Sequence, residues 1–349
     1  MKTRNVGYDF IKTLAIFLVV IIHANVAYLG ANRGGFAWNC VMLLTSVCLV
    51  AVPLFFMVSG ALLLDVEEVL PLKTLFKKRI LKQAIPFIVW SLIYVVVRMI
   101  MGKLPFGVSA FTDLLHEPAY YQFWFMYSLL AIYLLLPILQ AVVLKLEKKY
   151  IEYILILWLI FSTVFPVMQR WIPGFGISEH VDLILCEGYI GYFLLGYYLK
   201  KYHSEVSWKT GLWLGLAGIF ATGIACVLEW QCKKGGGYQG YFYQAYLTPF
   251  VVVAVTGLFL LFQNLPWTQK EKPRKLLQIT STLSIGVFYV HMLVLTVLEY
   301  VGLTGATNIL LLAVKIILGY GVSLVAAFVI SKIPYVRKVL MGIDEPHEN

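Results

Sequence analysis

The sequence predicts an all-α fold, a polytopic bundle of about ten transmembrane helices with both termini on the cytoplasmic side. Three observations predict it. Of 349 residues, 60% are hydrophobic and only 13% charged, with a mean hydropathy of +0.82, which is more apolar surface than one water-soluble core can hide. The apolar residues fall in stretches of about 20, each long enough to cross roughly 30 Å of hydrocarbon as a helix. The basic residues are unequally shared between alternate loops, as retention of Lys and Arg on the cytoplasmic side requires.

The spans follow in order along the chain. The first, 10–29, opens with Asp9 and Lys12, and the second, 41–64, stops at Asp65. A basic run, "LKTLFKKRILKQ" (72–83), leads into the third at 84–101. The fourth, 120–144, starts with an aromatic cluster, and the fifth, 150–168, lies between Lys149 and Arg170. The sixth and seventh, 182–200 and 208–229, flank Lys201, and Lys209 stands at the start of the seventh. "KKGGGYQGY" (233–241) reads as an external loop before the eighth, 244–263. The ninth and tenth are 283–302 and 307–331, the last with Lys315 inside it. The first span is too long for a cleavable signal peptide, and no cleavage context follows it. The whole of 1–349 is expected to be one integral membrane domain.

Of the 28 basic residues, 21 fall on the face that carries the two termini and six on the other. The net charge of +10 is therefore a topology signal, and nucleic acid is not an expected partner. The five cysteines show neither CxxC spacing nor histidine partners, so no metal site is expected. No phosphate-binding glycine loop and no short repeat is present. The expected setting is a multi-pass protein of the cell membrane, in contact with its lipids.

The first span holds the most informative pattern. At 100° per residue, Lys12 and His23 point within about 20° of each other, and Asp9 lies about 40° from His23 in projection. The three make one polar stripe rising roughly 16 Å from Lys12 to His23 on an otherwise aliphatic helix. Asp9 near a helix start answers the helix dipole, and Lys12 at an interface can snorkel. His23 lies deeper, where an ionisable group faces the bundle interior and marks a pathway or a site. Asp9 stands about 20 Å below His23 and cannot touch it; Glu187 and Glu299 are the carboxylates available to orient the ring.

"RNVGYDFIKTLAIFLVVIIHA" (4–24) resembles the start of the acyltransferase-3 family, whose first helix carries a basic residue, ten intervening residues and a histidine. Many members have arginine where Lys12 stands, and lysine offers a point charge in place of a planar fork. "VPLFFMVSGALLL" (52–64), "KKRILKQAIPFIVW" (77–90), "FWFMYSLLAIYLLLP" (123–137) and "IGVFYVHMLVL" (285–295) resemble further family segments, in the family's order. The resemblance implies a membrane O-acyltransferase. It implies transfer of an acyl group, most often acetyl, from cytoplasmic acyl-coenzyme A to a hydroxyl of an extracytoplasmic or lipid-linked glycan. It also implies His23 as the base, with no tightly bound cofactor.

Within that expectation Lys12, Lys77, Lys78, Arg79 and Lys82 lie nearest the phosphates of the donor, although topology and anionic headgroups also produce such a loop. Ser59 and Gly60 read as a small pair that lets helices approach, and Asp9 as a supporting group. Trp124, Tyr127 and His291 are the acceptor-side candidates, Trp124 and Tyr127 being equally at home in an aromatic belt. A transporter or flippase of a glycan or lipid-linked intermediate is the alternative, but the two halves lack matched Gly/Pro-broken segments.

Overall fold

A computed structural model describes residues 4–31, 34–105, 107, 114, 116–172, 174–175, 188–232, 246–266, 271–306 and 308–344. These residues are helical throughout, joined by turns, and contain no strand. The helices are α1 (Val6–Ala31), α2 (Phe36–Cys48), α3 (Ala51–Leu63), α4 (Leu72–Ile100), α5 (Tyr121–Lys145) and α6 (Lys148–Gln169). They continue with α7 (Ile190–Tyr202), α8 (Trp208–Cys232), α9 (Pro249–Gln263), α10 (Glu271–Tyr300), α11 (Ile309–Lys332) and a short α12 (Pro334–Met341).

Eight segments among the described residues are long and apolar enough to cross a membrane: α1, the α2–α3 pair, α4, α5, α6, α8, α10 and α11. The 15-residue α9 is apolar but shorter, and the described part of the expected span at 182–200 is the 13-residue α7. The expected single span at 41–64 is interrupted at Leu49 and Val50. Pro53 explains the break, because its ring has no N–H to give and crowds the carbonyl four residues earlier, at Leu49. Two later helices begin with side-chain caps. Thr248 accepts from the Val251 amide at 3.3 Å and Asn308 from the Leu310 amide at 2.7 Å, each satisfying a donor left open by the first turn.

α1 lies inside the bundle, with α2, α3, α9, α10 and α11 around it. That placement keeps its polar stripe out of lipid. The helices beside it approach closely where glycine removes the side chain. A Cβ on Gly60 of α3 would strike the Phe193 carbonyl of α7, and one on Gly196 of α7 would strike the Met57 carbonyl of α3. Hydrocarbon gives helices no hydrophobic reason to associate, so such backbone contact supplies dispersion in its place.

The charged groups divide between the two ends. At one end Arg4 grips Asp9 with two hydrogen bonds of 2.7 and 2.9 Å, and the Ser281 hydroxyl donates to Asp9 at 2.7 Å. Lys82 pairs with Asp344 at 3.1 Å and Lys200 with Asp65 at 2.9 Å. The start of α1 and the last described residues thus share one end of the bundle. Towards the other end Lys315, 0% exposed, donates to the Glu299 carboxylate at 2.7 Å and to the Thr304 carbonyl at 3.0 Å. Those two bonds answer how a lysine inside the last span is tolerated.

Gly60→Val should lower the yield of folded protein and cost on the order of 3 kcal/mol, as overpacking at a closed backbone contact does. Gly321→Ala, at a glycine with no neighbouring atom in reach of a Cβ, should be neutral. Thermal unfolding in detergent separates the two.

Candidate active site

One cavity of about 270 Å³ follows α1 through the bundle. Its mouth is formed by Lys12, Lys82 and Gly342, its walls include Ser59, Tyr133 and Ser284, and its far part holds His23, Gln122, Trp124 and Tyr246. Between mouth and histidine the lining is largely apolar, with Val19, Val52, Phe55 and Phe288. The cavity is therefore cationic at one end, greasy along its length, and polar and aromatic at the other.

His23 does not stand alone. Its Nδ1 lies 2.8 Å from Nε2 of His291 on α10, and the two rings stack at 5.0 Å with 13° between their planes. Nδ1 of His291 lies 3.0 Å from the Val287 carbonyl one turn below. These contacts fix where the protons are. A carbonyl only accepts, so Nδ1 of His291 carries a hydrogen. His291 is 0% exposed, and among the described residues no carboxylate pairs with either ring, so a charged His291 would be uncompensated. It is then neutral, its Nε2 accepts, and Nδ1–H of His23 donates. Nε2 of His23 keeps its lone pair, on a ring that lines the cavity. Tyr121 closes over the same ring edge-on at 5.1 Å, held by its hydroxyl's contact with Met292 Sδ at 3.4 Å. A neutral imidazole with one nitrogen pinned and the other free is what proton abstraction needs.

A family model for the acyltransferase domain of the acyltransferase-3 type matches residues 5–332. The chain belongs to the acyltransferase-3 family. No curated protein and no solved structure matches it. The molecule is thus a multi-pass membrane acyltransferase.

The acyltransferase brings several of the residues singled out in the sequence onto one surface and leaves others apart. Lys12, His23, Ser59, Lys82 and Trp124 all line the cavity. Lys12 makes no ion pair or hydrogen bond among the described residues, because Asp9, its neighbour along the stripe, is taken by Arg4 and Ser281. Ser59 and Gly60 separate: Gly60 packs against α7, while Ser59 faces the cavity. Lys77, Lys78 and Arg79 are exposed on a π-helical turn, Phe76–Ile80, and of the basic residues of that run Lys82 is the one that lines the cavity, beside Gln83. Arg79 lies near enough to Tyr133 of the cavity wall for its charge to act on that ring's hydroxyl.

Trp124 meets Tyr189 at 5.2 Å and Tyr246 at 5.6 Å, an aromatic group at the far end of the cavity. Tyr127 instead packs on Phe87 at 5.0 Å, and its hydroxyl donates to the Leu114 carbonyl at 3.3 Å, away from the cavity. His291 stands behind His23 and not on the cavity wall. Glu299 is engaged by Lys315, and Glu187 lies outside the described residues. The group that orients His23 is a second histidine, which charge alone does not suggest. Its signal in the sequence is a histidine inside an apolar span in the same half of the membrane. Tyr246, Ser284 and the 341–343 segment join the cavity through long-range packing that no local pattern announces.

Nitrogen-15 NMR of histidine-labelled protein should find both rings protonated at Nδ1, with the Nε2 signal of His23 in the free-lone-pair range. Spectra of His23→Ala and His291→Ala assign the two signals, and an Nε2–H form of His23 would contradict the arrangement.

Proposed function

We propose that this acyltransferase moves an acyl group, acetyl by default, from cytoplasmic acyl-coenzyme A to a hydroxyl of an extracytoplasmic or lipid-linked glycan. The observation that carries the reading is the continuity of one cavity from two lysines at its mouth to a histidine with a free nitrogen. Lys12 meets the phosphates of the donor as a point charge, and Lys82 does so by exchanging its pairing with Asp344. The apolar stretch between them and His23, about 16 Å along α1, accepts the slender arm that carries the thioester. Trp124, Tyr189 and Tyr246 offer flat faces to the apolar side of a sugar ring. In this reading the lysine end faces the cytoplasm of a cell membrane, with both chain termini on that side.

The chemistry assigns each group a task. An alcohol is a poor nucleophile at neutral pH, and Nε2 of His23 takes its proton as the oxygen attacks the thioester carbonyl. The positive charge that forms on His23 is shared through Nδ1–H with the lone pair of His291, which also prevents the ring from turning. The proton then leaves with the thiol. Excluding water from the apolar stretch protects the thioester from hydrolysis.

His23→Ala should lower thiol release from acetyl-coenzyme A by about 10²–10⁴-fold while the protein remains folded. Lys12→Met should chiefly raise KM for the donor. Release of free thiol in membranes that contain the native acceptor measures both, and mass spectrometry of the surface glycans identifies what is acylated. Movement of a glycan across vesicles with no thiol release, unchanged in His23→Ala, would point to the transporter alternative.

A further inference from the structure

Gln122 stands in the one-turn 3₁₀ segment Tyr121–Phe123 that opens α5, between the tyrosine that covers His23 and the tryptophan two residues later. Its side chain is 2% exposed and lines the cavity. Neither its Nε2 nor its Oε1 makes a hydrogen bond. The hydroxyl of Tyr94 donates to the Tyr289 carbonyl at 2.8 Å, and its oxygen is the protein group close enough to attract the amide N–H of Gln122, without completing a hydrogen bond of good geometry. A buried amide with both ends open is an expensive feature that folded proteins rarely retain without a partner. The residue lines the same cavity as His23, so a ligand of that cavity is the partner its enclosed amide can gain.

We infer that Gln122 is a catalytic residue whose Nε2–H₂ donates to the carbonyl oxygen of the bound thioester. The inference rests on the acyl transfer proposed above. As the acceptor oxygen bonds to the thioester carbon, the carbonyl's π pair moves onto its oxygen and His23 takes the hydroxyl proton. When that intermediate collapses, the C–S bond breaks, and sulfur leaves with the proton returned from His23. Negative charge is greatest on the former carbonyl oxygen between these steps. A fixed, water-free N–H donor stabilises it there more than it stabilises the ground-state carbonyl. Among the described residues lining the far part of the cavity, the lysines are a helix length away at the mouth and His23 is engaged with the nucleophile. The other donors there, the Trp124 indole and the Tyr246 hydroxyl, belong to the aromatic group assigned to the acceptor sugar, which leaves the amide for the oxygen.

The test compares Gln122→Met, Gln122→Glu and Tyr94→Phe with the parent in membranes of the producing cells, with acetyl-coenzyme A as the probe and free thiol as the readout. Gln122→Met removes both open polar atoms at similar volume, and should lower kcat by about 10²–10³-fold. Its binding of a non-reactive thioether analogue of acetyl-coenzyme A should stay within threefold, with a thermal midpoint equal to or above that of the parent. Gln122→Glu keeps the shape, loses the donor, and should lose as much or more. Tyr94→Phe should stay within threefold. Turnover within threefold of the parent in either folded Gln122 variant overturns the inference, as does an equal loss in Tyr94→Phe or failure of both Gln122 variants to fold. Thiol release that persists in His23→Ala overturns the acyl-transfer reading instead, whatever the Gln122 variants do.

Discussion

The hydrogen bond between His23 and His291 joins two neighbouring helices deep in the bundle, and the geometry of the site follows from it. In hydrocarbon there is no water to satisfy an imidazole, so each ring nitrogen needs a partner inside the protein or in a cavity. Three of the four nitrogens are accounted for by the chain from the Val287 carbonyl through His291 to His23. The fourth, Nε2 of His23, is left to the cavity. One helical backbone carbonyl thereby sets the protonation pattern of a ring on a different helix. A carboxylate in the same place would have made a stronger pair with His23 but brought a full charge into the apolar middle of the bundle. A second histidine orients the ring without that charge.

The cavity depends on the same economy of polar groups. α1 has five other helices packed against it, and its stripe through Lys12 and His23 lines the cavity. Lys12 is left uncommitted because Arg4, from the chain just ahead of the helix, takes Asp9 in a two-pronged grip reinforced by Ser281. Had Asp9 paired with Lys12, the charge at the mouth would have been cancelled. Opposite it, Lys82 is tied to Asp344, and Gly342 packs so close to Lys82 that a Cβ there would meet its backbone carbonyl. The C-terminal segment is thus part of the mouth, held by α12, whose Leu340 carbonyl accepts from the Trp90 indole at 2.8 Å. Lys315 shows the other treatment of an intramembrane cation, with both partners supplied by the chain itself.

Much of this was legible in the sequence, and unevenly so. The stripe through Lys12 and His23 needs only the 100° step of a helix, and both residues do face one cavity. Apolar stretches of about 20 residues located most helices, though Pro53 divides one expected span and α7 and α9 are shorter than a full crossing. Local spacing says less where the helix departs from the regular α form, as at the π turn Phe76–Ile80, which includes Arg79 and ends before Lys82. Ser59 and Gly60 read as one small pair, yet adjacent residues on a helix point about 100° apart, so one packs and the other faces the cavity. The open amide of Gln122 left no mark, since a glutamine beside an aromatic cluster is as easily an interface residue.

The sequence by itself therefore determined what depends on composition and on a single helix's geometry. That covers a membrane bundle, its basic end, the alignment of Lys12 with His23 and the family to which the ordered segments belong. The tertiary structure decided everything that requires two helices to meet. It made His291 the partner of His23, spent Glu299 on Lys315, brought Ser281 to Asp9, and turned Tyr127 away while Trp124 joined Tyr246. The physical reason is that hydrogen bonds act over about 3 Å, and which groups come that close is set by how the chain packs, over 268 positions for His23 and His291 and over 16 for Glu299 and Lys315.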